Sequence, residues 1–259
     1  MIGYSKIEGS CSLNGKVAVV TGASRGIGRA VCELLAKKGA DLALVALSET
    51  VESAAKEISE RYGVRAIPIR GDISSEEDVD RMVGSTLDFY GKADILCAVA
   101  GVTELGDAES IPMADWDRVM NINARGTFMT AQKFGAQMIR AGNGGKIVVM
   151  TSQGGIVALD KHVAYTMSKA ALIGMIKSLA YEWAEYGINV NGVAPTVVLT
   201  EMGEKAWSGE TGRAMRSRIP AGRFAYPDEV AAAVLFLVSD ESRMITGENL
   251  IIDGGYTIY

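Results

Sequence analysis

The sequence is poor in the residues that build metal centres and disulfide frameworks. Its 259 residues include one histidine, His162, and three widely spaced cysteines, Cys11, Cys32 and Cys97. A single histidine excludes a multi-histidine metal site, and an odd number of cysteines without a CxxC pair excludes a disulfide framework. We therefore expect no bound metal and a reduced, cytoplasmic environment.

Long apolar runs and an excess of positive charge are missing as well. No uncharged apolar run approaches the roughly 20 residues of a membrane helix, and the N-terminus lacks the apolar core of a signal peptide. With 26 Lys and Arg against 31 Asp and Glu, the formal net charge is −5. Such a chain has no electrostatic signature of a nucleic-acid or membrane partner. We expect a soluble, intracellular protein without a nucleic-acid or membrane partner.

The chain does contain a regular alternation of short apolar runs and longer amphipathic segments. Strands are predicted at residues 16–20, 42–46, 66–69, 94–100, 146–151, 188–194 and 249–252. Helices are predicted at residues 26–38, 50–62, 115–140, 165–186 and 228–239, with one more after a capping box of Ser75 and Asp78. This order predicts an α/β protein with a single-domain Rossmann fold, a doubly wound parallel sheet of about seven strands.

Two segments lie outside this alternation within the predicted domain of residues 1–259. Residues 1–13 form an N-terminal extension. Residues 196–226 form a long segment rich in Gly, Glu and Arg, and long irregular segments are usually functional or disordered. Ligands of open α/β sheets bind beyond the carboxyl ends of the strands, so we interpret residues 196–226 as a substrate lid.

A glycine-rich loop, Thr21-Gly-Ala-Ser-Arg-Gly-Ile-Gly28, joins the first predicted strand to the first helix. Its glycines allow a tight turn and a close approach of the backbone to a pyrophosphate, and the helix N-terminus adds free N–H groups. The spacing Gly-x-x-x-Gly-x-Gly differs from the commoner GxGxxG, and a glycine-rich turn without a ligand is the alternative. Its strand–turn–helix position favours a dinucleotide site.

A tyrosine and a lysine four residues apart, Tyr165 and Lys169, open a predicted helix and share one face of it. A phenol with a pKa of about 10 is a poor base at neutral pH, and a nearby ammonium group favours the phenolate. We therefore expect that Lys169, together with a cationic nicotinamide ring, lowers the pKa of Tyr165. Ser152 ends an earlier strand, where its hydroxyl is placed to bind a substrate oxygen. Many helices carry such a pair by chance, but the glycine loop ahead of it favours an acid–base site.

Taken together, these motifs resemble the short-chain dehydrogenase/reductase family from Leu13 to the C-terminus. The resemblance includes the 21–28 loop, Asn123 in Asn-Ile-Asn-Ala-Arg-Gly, Ser152, and Tyr165 with Lys169. It implies a Rossmann fold and hydride transfer with a nicotinamide cofactor. It also implies four roles: Tyr165 as general acid/base, Ser152 orienting the reacting oxygen, Lys169 holding the ribose hydroxyls and lowering the tyrosine pKa, and Asn123 helping to hold a proton-relay water.

The sequence departs from the family pattern in two places. The family's Asn-Asn-Ala-Gly is here Ala98-Val-Ala-Gly101, for which we expect adjusted packing and retained activity. The family's Pro-Gly after the sixth strand is here Pro195-Thr196, and the segment that follows resembles the L-xylulose reductase (dicarbonyl reductase) branch and related polyol dehydrogenases.

In that branch, the positions of Gln153, His162 and Trp207 line the sugar site. The resemblance therefore implies a substrate set of these three residues with Ser152 and Tyr165. Each of the three has a simpler interpretation: Gln153 as a loop residue, His162 as a surface residue and Trp207 as part of the core of the lid.

Cofactor choice is predicted from the same resemblance. NAD-using members usually place an acid at the end of the second strand, where this chain has Ala46. The arginine that NADP-using members often carry next is Leu47 here. Arg25 is placed to contact a 2′-phosphate, with help from Ser48, and many NADP-using relatives share the same loop sequence. We favour NADP(H), with NAD(H) as the alternative.

The predicted cofactor-binding residues extend along the whole sheet edge. They are Gly22, Ser24, Arg25, Gly26, Ile27, Gly28, Ser48, Asp72, Ile73, Ala100, Gly101, Tyr165, Lys169, Pro195, Val198 and Thr200. By family analogy Asp72 and Ile73 hold the adenine, and Thr200 holds the nicotinamide carboxamide. The alternatives are a turn and helix cap for Asp72 and a helix N-cap for Thr200.

Three functions are compatible with these motifs. The first is the interconversion of a secondary alcohol and a ketone, on a polyol, ketose or small dicarbonyl. The second is reduction of a 3-oxoacyl group on an acyl carrier protein, which would need a basic patch for the acidic carrier; arginines near the lid leave that open, namely Arg213, Arg216, Arg218 and Arg223. The third is a non-catalytic cofactor sensor, although such proteins tend to lose the tyrosine or the lysine.

An oligomer is also implied by the resemblance. The family is usually tetrameric, through two long helices that match residues 115–140 and 165–186 and through the C-terminal strand. We therefore expect a homotetramer.

Overall fold

A parallel sheet of seven strands lies at the centre of the molecule, in a computed structural model that describes residues 11–200 and 207–258. The strands are β1 (Val17–Thr21), β2 (Asp41–Ala46), β3 (Ala66–Arg70), β4 (Ile95–Ala98), β5 (Gly145–Met150), β6 (Ile188–Pro195) and β7 (Asn249–Ile252). Their order is β3-β2-β1-β4-β5-β6-β7. The order reverses between β1 and β4, where doubly wound sheets bind ligands. This confirms the predicted single-domain Rossmann fold.

Helices cover both faces of the sheet. In the described residues they are α1 (Gly26–Lys37), α2 (Thr50–Tyr62), α3 (Glu76–Tyr90), α4 (Met113–Val119), α5 (Thr127–Ala141), α6 (Val163–Trp183), α7 (Gly209–Ser217) and α8 (Pro227–Val238). Short 3₁₀ turns lie at Gln153–Gly155, Ala184–Tyr186 and Asp240–Ser242. None of the helices in the described part of the chain has the length and apolar character needed to cross a bilayer.

The side chains of the central strands contribute to two hydrophobic cores, one on each face of the sheet. In β1, Ala18 and Val20 pack into the layer beneath α1, α2 and α8, whereas Val19 packs into the layer beneath α3, α5 and α6. Alternate residues of a strand point to opposite faces of its sheet. Because both faces are covered, β1 is buried at every position, which explains its unbroken apolar sequence.

The predicted helix of residues 115–140 is wrong in one respect. The structure divides it into α4, a π-helical segment at Met120–Gly126, and α5. The wider π turn directs the side chain of Asn123 into the protein, where it bonds the backbone of Val102. Apolar spacing does not reveal such a turn, because the residues on either side keep a helical period.

The predicted capping box before α3 is formed only in part. The Ser75 hydroxyl accepts a hydrogen bond from the N–H of Asp78 at 3.3 Å. The Asp78 carboxylate instead accepts one from the N–H of Asp72 at 2.8 Å. The N–H of Ser75 already donates to the carbonyl of Asp72, so it does not need the reciprocal bond of a capping box.

The strand predicted at residues 94–100 ends earlier in the structure, at Ala98. The N–H groups of Val99 and Ala100 leave the sheet and both donate to the hydroxyl oxygen of Thr21, at 3.1 Å each. Other predicted boundaries differ by a few residues at most, and those of α2 and β7 agree with the structure.

Candidate active site

The glycine loop after β1 is shaped by its glycines. Gly22 and Gly26 have φ values of +69° and +56°, in the left-handed region that favours glycine. A Cβ on Gly28 would lie 2.1 Å from the carbonyl oxygen of Gly22. Arg25 precedes α1 without a side-chain capping bond, and the first turn has no acidic residue. The N–H groups of this turn are therefore placed to receive an anion, and the loop fits a dinucleotide pyrophosphate. The loop and first turn also hold Ser24 and Ile27.

The segment after β4 is held against this loop. A Cβ on Gly22 would lie 3.0 Å from the Cα of Ala100, and Thr21 accepts the two hydrogen bonds from residues 99 and 100. A Cβ on the next residue, Gly101, would lie 3.5 Å from the Nζ of Lys169. The alanine-rich sequence at 98–101 thus brings the backbone close to both the glycine loop and the predicted catalytic lysine.

Tyr165, Lys169 and Ser152 come together beyond the carboxyl end of β5. The Nζ of Lys169 lies 5.6 Å from the centroid of the Tyr165 ring and donates to the carbonyl oxygen of Met150 at 2.7 Å. The Ser152 side chain interacts with Tyr165 and lowers its pKa. It also accepts a bond from the N–H of Gly154 at 3.0 Å, which fixes the serine in the turn after β5.

The pKa of Tyr165 differs from the expected one. Burial raises the pKa of Tyr165 above its ordinary value, and the side chain of Ser152 opposes this rise. Burial also lowers the pKa of Lys169 to about 8. The expected lowering of the tyrosine pKa by Lys169 is therefore not seen in the chain by itself, because loss of hydration at the phenol outweighs the neighbouring groups.

Asn123 links this cluster to the segment after β4. Its side-chain N–H₂ donates to the carbonyl of Val102 at 2.8 Å and to the Ser168 hydroxyl at 3.0 Å, and its oxygen accepts from the N–H of Val102 at 2.8 Å. Ser168 in turn donates to the carbonyl of Tyr165 at 2.7 Å. Sequence reasoning missed Ser168, although its position just before Lys169 was a signal. The relay-water role of Asn123 stays a prediction.

Two of the predicted substrate residues lie beside Tyr165 or Ser152. The ring centroid of His162 is 6.0 Å from that of Tyr165, in an edge-on arrangement. Gln153, next to Ser152, is only 2% exposed, and its Oε1 accepts no hydrogen bond from any described residue. Burial of an amide oxygen without a partner is costly, so this oxygen is suited to accept a bond from a ligand.

Trp207 lies in a small separate cluster. Its ring centroid is 6.1 Å from that of Phe224, and Val157, shortly after the turn that holds Gln153, packs against the same cluster. The simpler interpretation of Trp207 as lid core thus agrees with its packing, while Val157 connects it to the candidate substrate side. Its contact with substrate stays a prediction.

The predicted adenine side has residues engaged with their own neighbours. The Asp72 carboxylate accepts from the N–H and the hydroxyl of Ser74, both at 2.8 Å, which matches the turn interpretation. Ile73 is buried. The hydroxyl of Ser48 lies 2.9 Å from that of Thr50, at the start of α2.

The segment after β6 passes over the glycine loop. Pro195 ends β6, and Val198 forms an isolated bridge with Ala225. A Cβ on Gly26 would lie 3.2 Å from the Cγ2 of Thr200, so this threonine closes one side of the predicted cofactor cleft. Its alternative role as an N-cap involves residues 201–206, which lie outside the described residues.

Arg70 is a candidate that sequence reasoning missed. It ends β3 and pairs in register with Ala46, where the family's acid is absent. Its Nε donates to the carbonyl of Leu47 at 3.2 Å, and its guanidinium lies 4.0 Å from the carboxylate of Glu49. The signal was the sheet itself, because parallel neighbours end side by side. A cation therefore lies beside the predicted ribose position.

Comparisons with known proteins find relatives that match nearly the whole chain. A family described as "Enoyl-(Acyl carrier protein) reductase" matches residues 22–257. An NAD-dependent glycerol dehydrogenase of Listeria innocua is 51% identical over 247 residues, covering 95% of this chain and 96% of that protein. A D-threitol dehydrogenase of Mycolicibacterium smegmatis is 48% identical over 250 residues, covering 95% and 94%.

A solved structure is also similar to this chain. The short-chain type dehydrogenase/reductase from Mycobacterium marinum superposes with a TM-score of 0.91 at 33% identity, covering 96% of this chain and 98% of that one. The chain therefore belongs to the short-chain dehydrogenase/reductase family and is a nicotinamide-dependent oxidoreductase that acts on CH–OH groups.

Proposed function

We propose that the protein interconverts a secondary alcohol and a ketone on a small polyol and the matching ketose. The observation that carries this proposal is the buried, unpartnered Oε1 of Gln153 beside Ser152. With His162 next to Tyr165, it offers hydrogen-bonding groups for substrate hydroxyls beyond the reacting one. The names of the glycerol and D-threitol dehydrogenases support the same substrate class.

The proposed roles follow from the contacts. A bound nicotinamide ring supplies or accepts the hydride. Tyr165 takes the carbinol proton during oxidation and returns it to the carbonyl oxygen during reduction. Ser152 holds the same oxygen. Together with the bound cofactor, Lys169 favours the phenolate and presents its remaining donors to the ribose hydroxyls. Asn123 helps to hold a proton-relay water.

NADP(H) is the favoured cofactor on charge grounds. Ala46 stands at the position where NAD-using members usually carry an acid, which would repel a 2′-phosphate. The exposed side chain of Arg25 has no partner among the described residues. Arg70 adds a second cation beside Leu47. The Listeria relative is named as NAD-dependent, so NAD(H) is the alternative that turnover with each cofactor must test.

The arginines near the lid give little support to the acyl-carrier alternative. Arg223 makes two short bonds to the carboxylate of Glu229, at 2.7 and 2.6 Å. Arg216 lies over the ring of Phe224, and Arg218 over that of Tyr256. Because three of the four arginines already have partners in the fold, they form a poor docking patch for an acidic carrier protein.

Assembly into a homotetramer is part of the proposal. An apolar groove of about 810 Å³ runs between α5 and α6, the two helices that the family uses for association. Its lining includes the exposed ring of Phe128, together with Ala136 and Met175. Light scattering tests this assembly, and a monomeric mass would contradict it.

We also propose a cytoplasmic location, and a lid role for residues 196–226.

The decisive experiment follows the absorbance of reduced nicotinamide with NAD and with NADP. The substrates are glycerol, threitol, xylitol, a ketose, a diketone and an acetoacetyl thioester, and Tyr165→Phe is the control. Turnover of a polyol or ketose that is lost in the variant is expected. Turnover of the thioester alone would overturn the polyol assignment, and cofactor binding without any turnover would favour the sensor alternative.

A further inference from the structure

A second cavity lies at the end of the sheet opposite the candidate active site. It has a volume of about 470 Å³ and opens where β1, β4, β5 and β6 begin. Its lining includes Lys16 before β1, Asp94 before β4, Lys146 in β5, and Asp240 and Arg243 after α8. Small-molecule sites have volumes of about 300–1,000 Å³. The cavity is therefore large enough for a small organic ligand, and it shares no residue with the candidate active site.

The charge in this cavity is predominantly positive. The carboxylate of Asp94 already accepts from the Nζ of Lys92 at 2.9 Å and from the N–H of Val17 at 2.8 Å, so its charge is offset within the fold. Three cations, Lys16, Lys146 and Arg243, then face the single carboxylate of Asp240. The chain as a whole is acidic, so this local excess of positive charge runs against its average composition.

Lys146 is the group most affected by this arrangement. It is half-buried, and its Nζ donates to the Oδ1 of Asn189 at 2.7 Å. The pKa of Lys146 is lowered to about 8, chiefly by burial. The charges of Arg243 and Lys16 contribute to this lowering, and the charge of Asp240 opposes it. An ammonium that is disfavoured by both burial and like charge gains more than an exposed one from a bound anion.

We propose that this cavity binds a small phosphomonoester, with its phosphate group held by Lys146, Lys16 and Arg243. Lysine binds phosphate as a point charge and arginine with its planar fork of donors. The volume exceeds what a phosphate group requires, and the amides of Asn143 and Asn189 line the remaining space. The organic part of the ligand occupies this space.

The test is calorimetric titration of the holoenzyme, saturated with its reduced cofactor so that the glycine loop is filled. The probes are inorganic phosphate and glycerol 3-phosphate, at an ionic strength held constant with sodium chloride. We expect one saturable site per chain and tighter binding of the ester. Equal affinity for the two probes would overturn the assignment to a phosphomonoester, and absence of saturable binding would overturn the site.

Substitutions of Lys146, with a control substitution elsewhere, test whether the ligand binds in this cavity. Lys146→Gln should weaken binding at least tenfold, whereas Lys56→Gln, at an exposed lysine on α2, should leave it unchanged. Lys146→Arg keeps the charge and should keep the binding. Unchanged affinity in Lys146→Gln would contradict the proposal. Binding of glycerol 3-phosphate at the substrate site would give this same result.

Sulfate gives an independent reading of pH dependence, because it stays a dianion across the range. Its affinity should fall as the pH rises through about 8, where Lys146 loses its proton, and Lys146→Arg should remove this fall. The charged groups facing Lys146 are Lys16, Asp94 with its partner Lys92, Asp240 and Arg243. A pH profile that is identical in the wild type and Lys146→Arg would overturn the role of Lys146.

Discussion

The ammonium group of Lys169 donates to the carbonyl oxygen of Met150 at 2.7 Å, at the carboxyl end of β5. The lysine is 4% exposed, and no carboxylate in the described part of the chain lies within ion-pair distance. One main-chain carbonyl does not replace the lost hydration, so burial lowers the pKa of Lys169 to about 8. At neutral pH the fold thus keeps a charge that costs stability, at a position where the family uses the charge.

Replacing this lysine should stabilise the protein while abolishing its activity. The pKa falls from 10.5 to about 8, which corresponds to roughly 3 kcal/mol at pH 7. Loss of the bond to Met150 returns about 1 kcal/mol. Lys169→Met should therefore raise the free energy of unfolding by about 2 kcal/mol, measured by urea denaturation at pH 7.

The difference in stability between the wild type and Lys169→Met should depend on pH. Between pH 8 and 10.5 the unfolded lysine holds its proton and the folded one does not, so the wild type gains stability as pH rises. The advantage of Lys169→Met should shrink over this window. A stability difference that stays constant from pH 7 to pH 10, or a destabilised variant at pH 7, would contradict the assignment.

The backbone at Lys161 should control how His162 meets the substrate. Lys161 has a φ of +59°, and its carbonyl accepts from the N–H of Gly106 at 3.0 Å. Lys161→Gly keeps this left-handed conformation, whereas a β-branched residue is strained in it. Lys161→Val should raise KM for the polyol about tenfold with little change in KM for the cofactor, and Lys161→Gly should leave both near wild type. Equal effects of the two variants in steady-state kinetics would contradict this explanation.

Two glycine-to-alanine substitutions should have opposite effects. A Cβ on Gly28 would lie 2.1 Å from the Gly22 carbonyl, whereas one on Gly84, in α3, meets no atom within 4 Å. Gly28→Ala should therefore weaken cofactor binding at least tenfold and lower the melting temperature. Gly84→Ala should stabilise by about 0.5–1 kcal/mol, because alanine is favoured within a helix. Fluorescence titration of reduced cofactor and thermal melting test both; tight binding by Gly28→Ala would contradict the loop assignment.

The parts of the fold predicted well were those with local signals. The bounds of α2 and β7 agree with the structure, because apolar periodicity and flanking turn residues mark both. The π segment around Asn123 has no such signal, since its inward amide bonds depend on the distant Val102. The raised pKa of Tyr165 in the chain without cofactor was not predicted for a related reason. Four-residue spacing gives proximity to Lys169, whereas the depth of burial is a property of the whole fold.

Arg70 should affect the choice between NADP(H) and NAD(H). It was missed in the sequence because it lies 24 residues beyond Ala46, yet parallel pairing of β2 and β3 places the two side by side. Its guanidinium lies near both the Leu47 carbonyl and the Glu49 carboxylate. Because a 2′-phosphate carries negative charge and a 2′-hydroxyl does not, removal of this cation should affect the two cofactors unequally.

Arg70→Gln should weaken NADPH binding about fivefold to twentyfold, in line with the roughly 1–2 kcal/mol of an exposed charge-assisted contact, and leave NADH binding within twofold. Arg65→Gln is the matched control, since this exposed arginine pairs with Asp41 at the opposite end of the same sheet region. Dissociation constants from quenching of protein fluorescence measure both cofactors without turnover. Equal losses for NADH and NADPH in Arg70→Gln would show that the residue supports the loop after β2 and does not read the 2′ position.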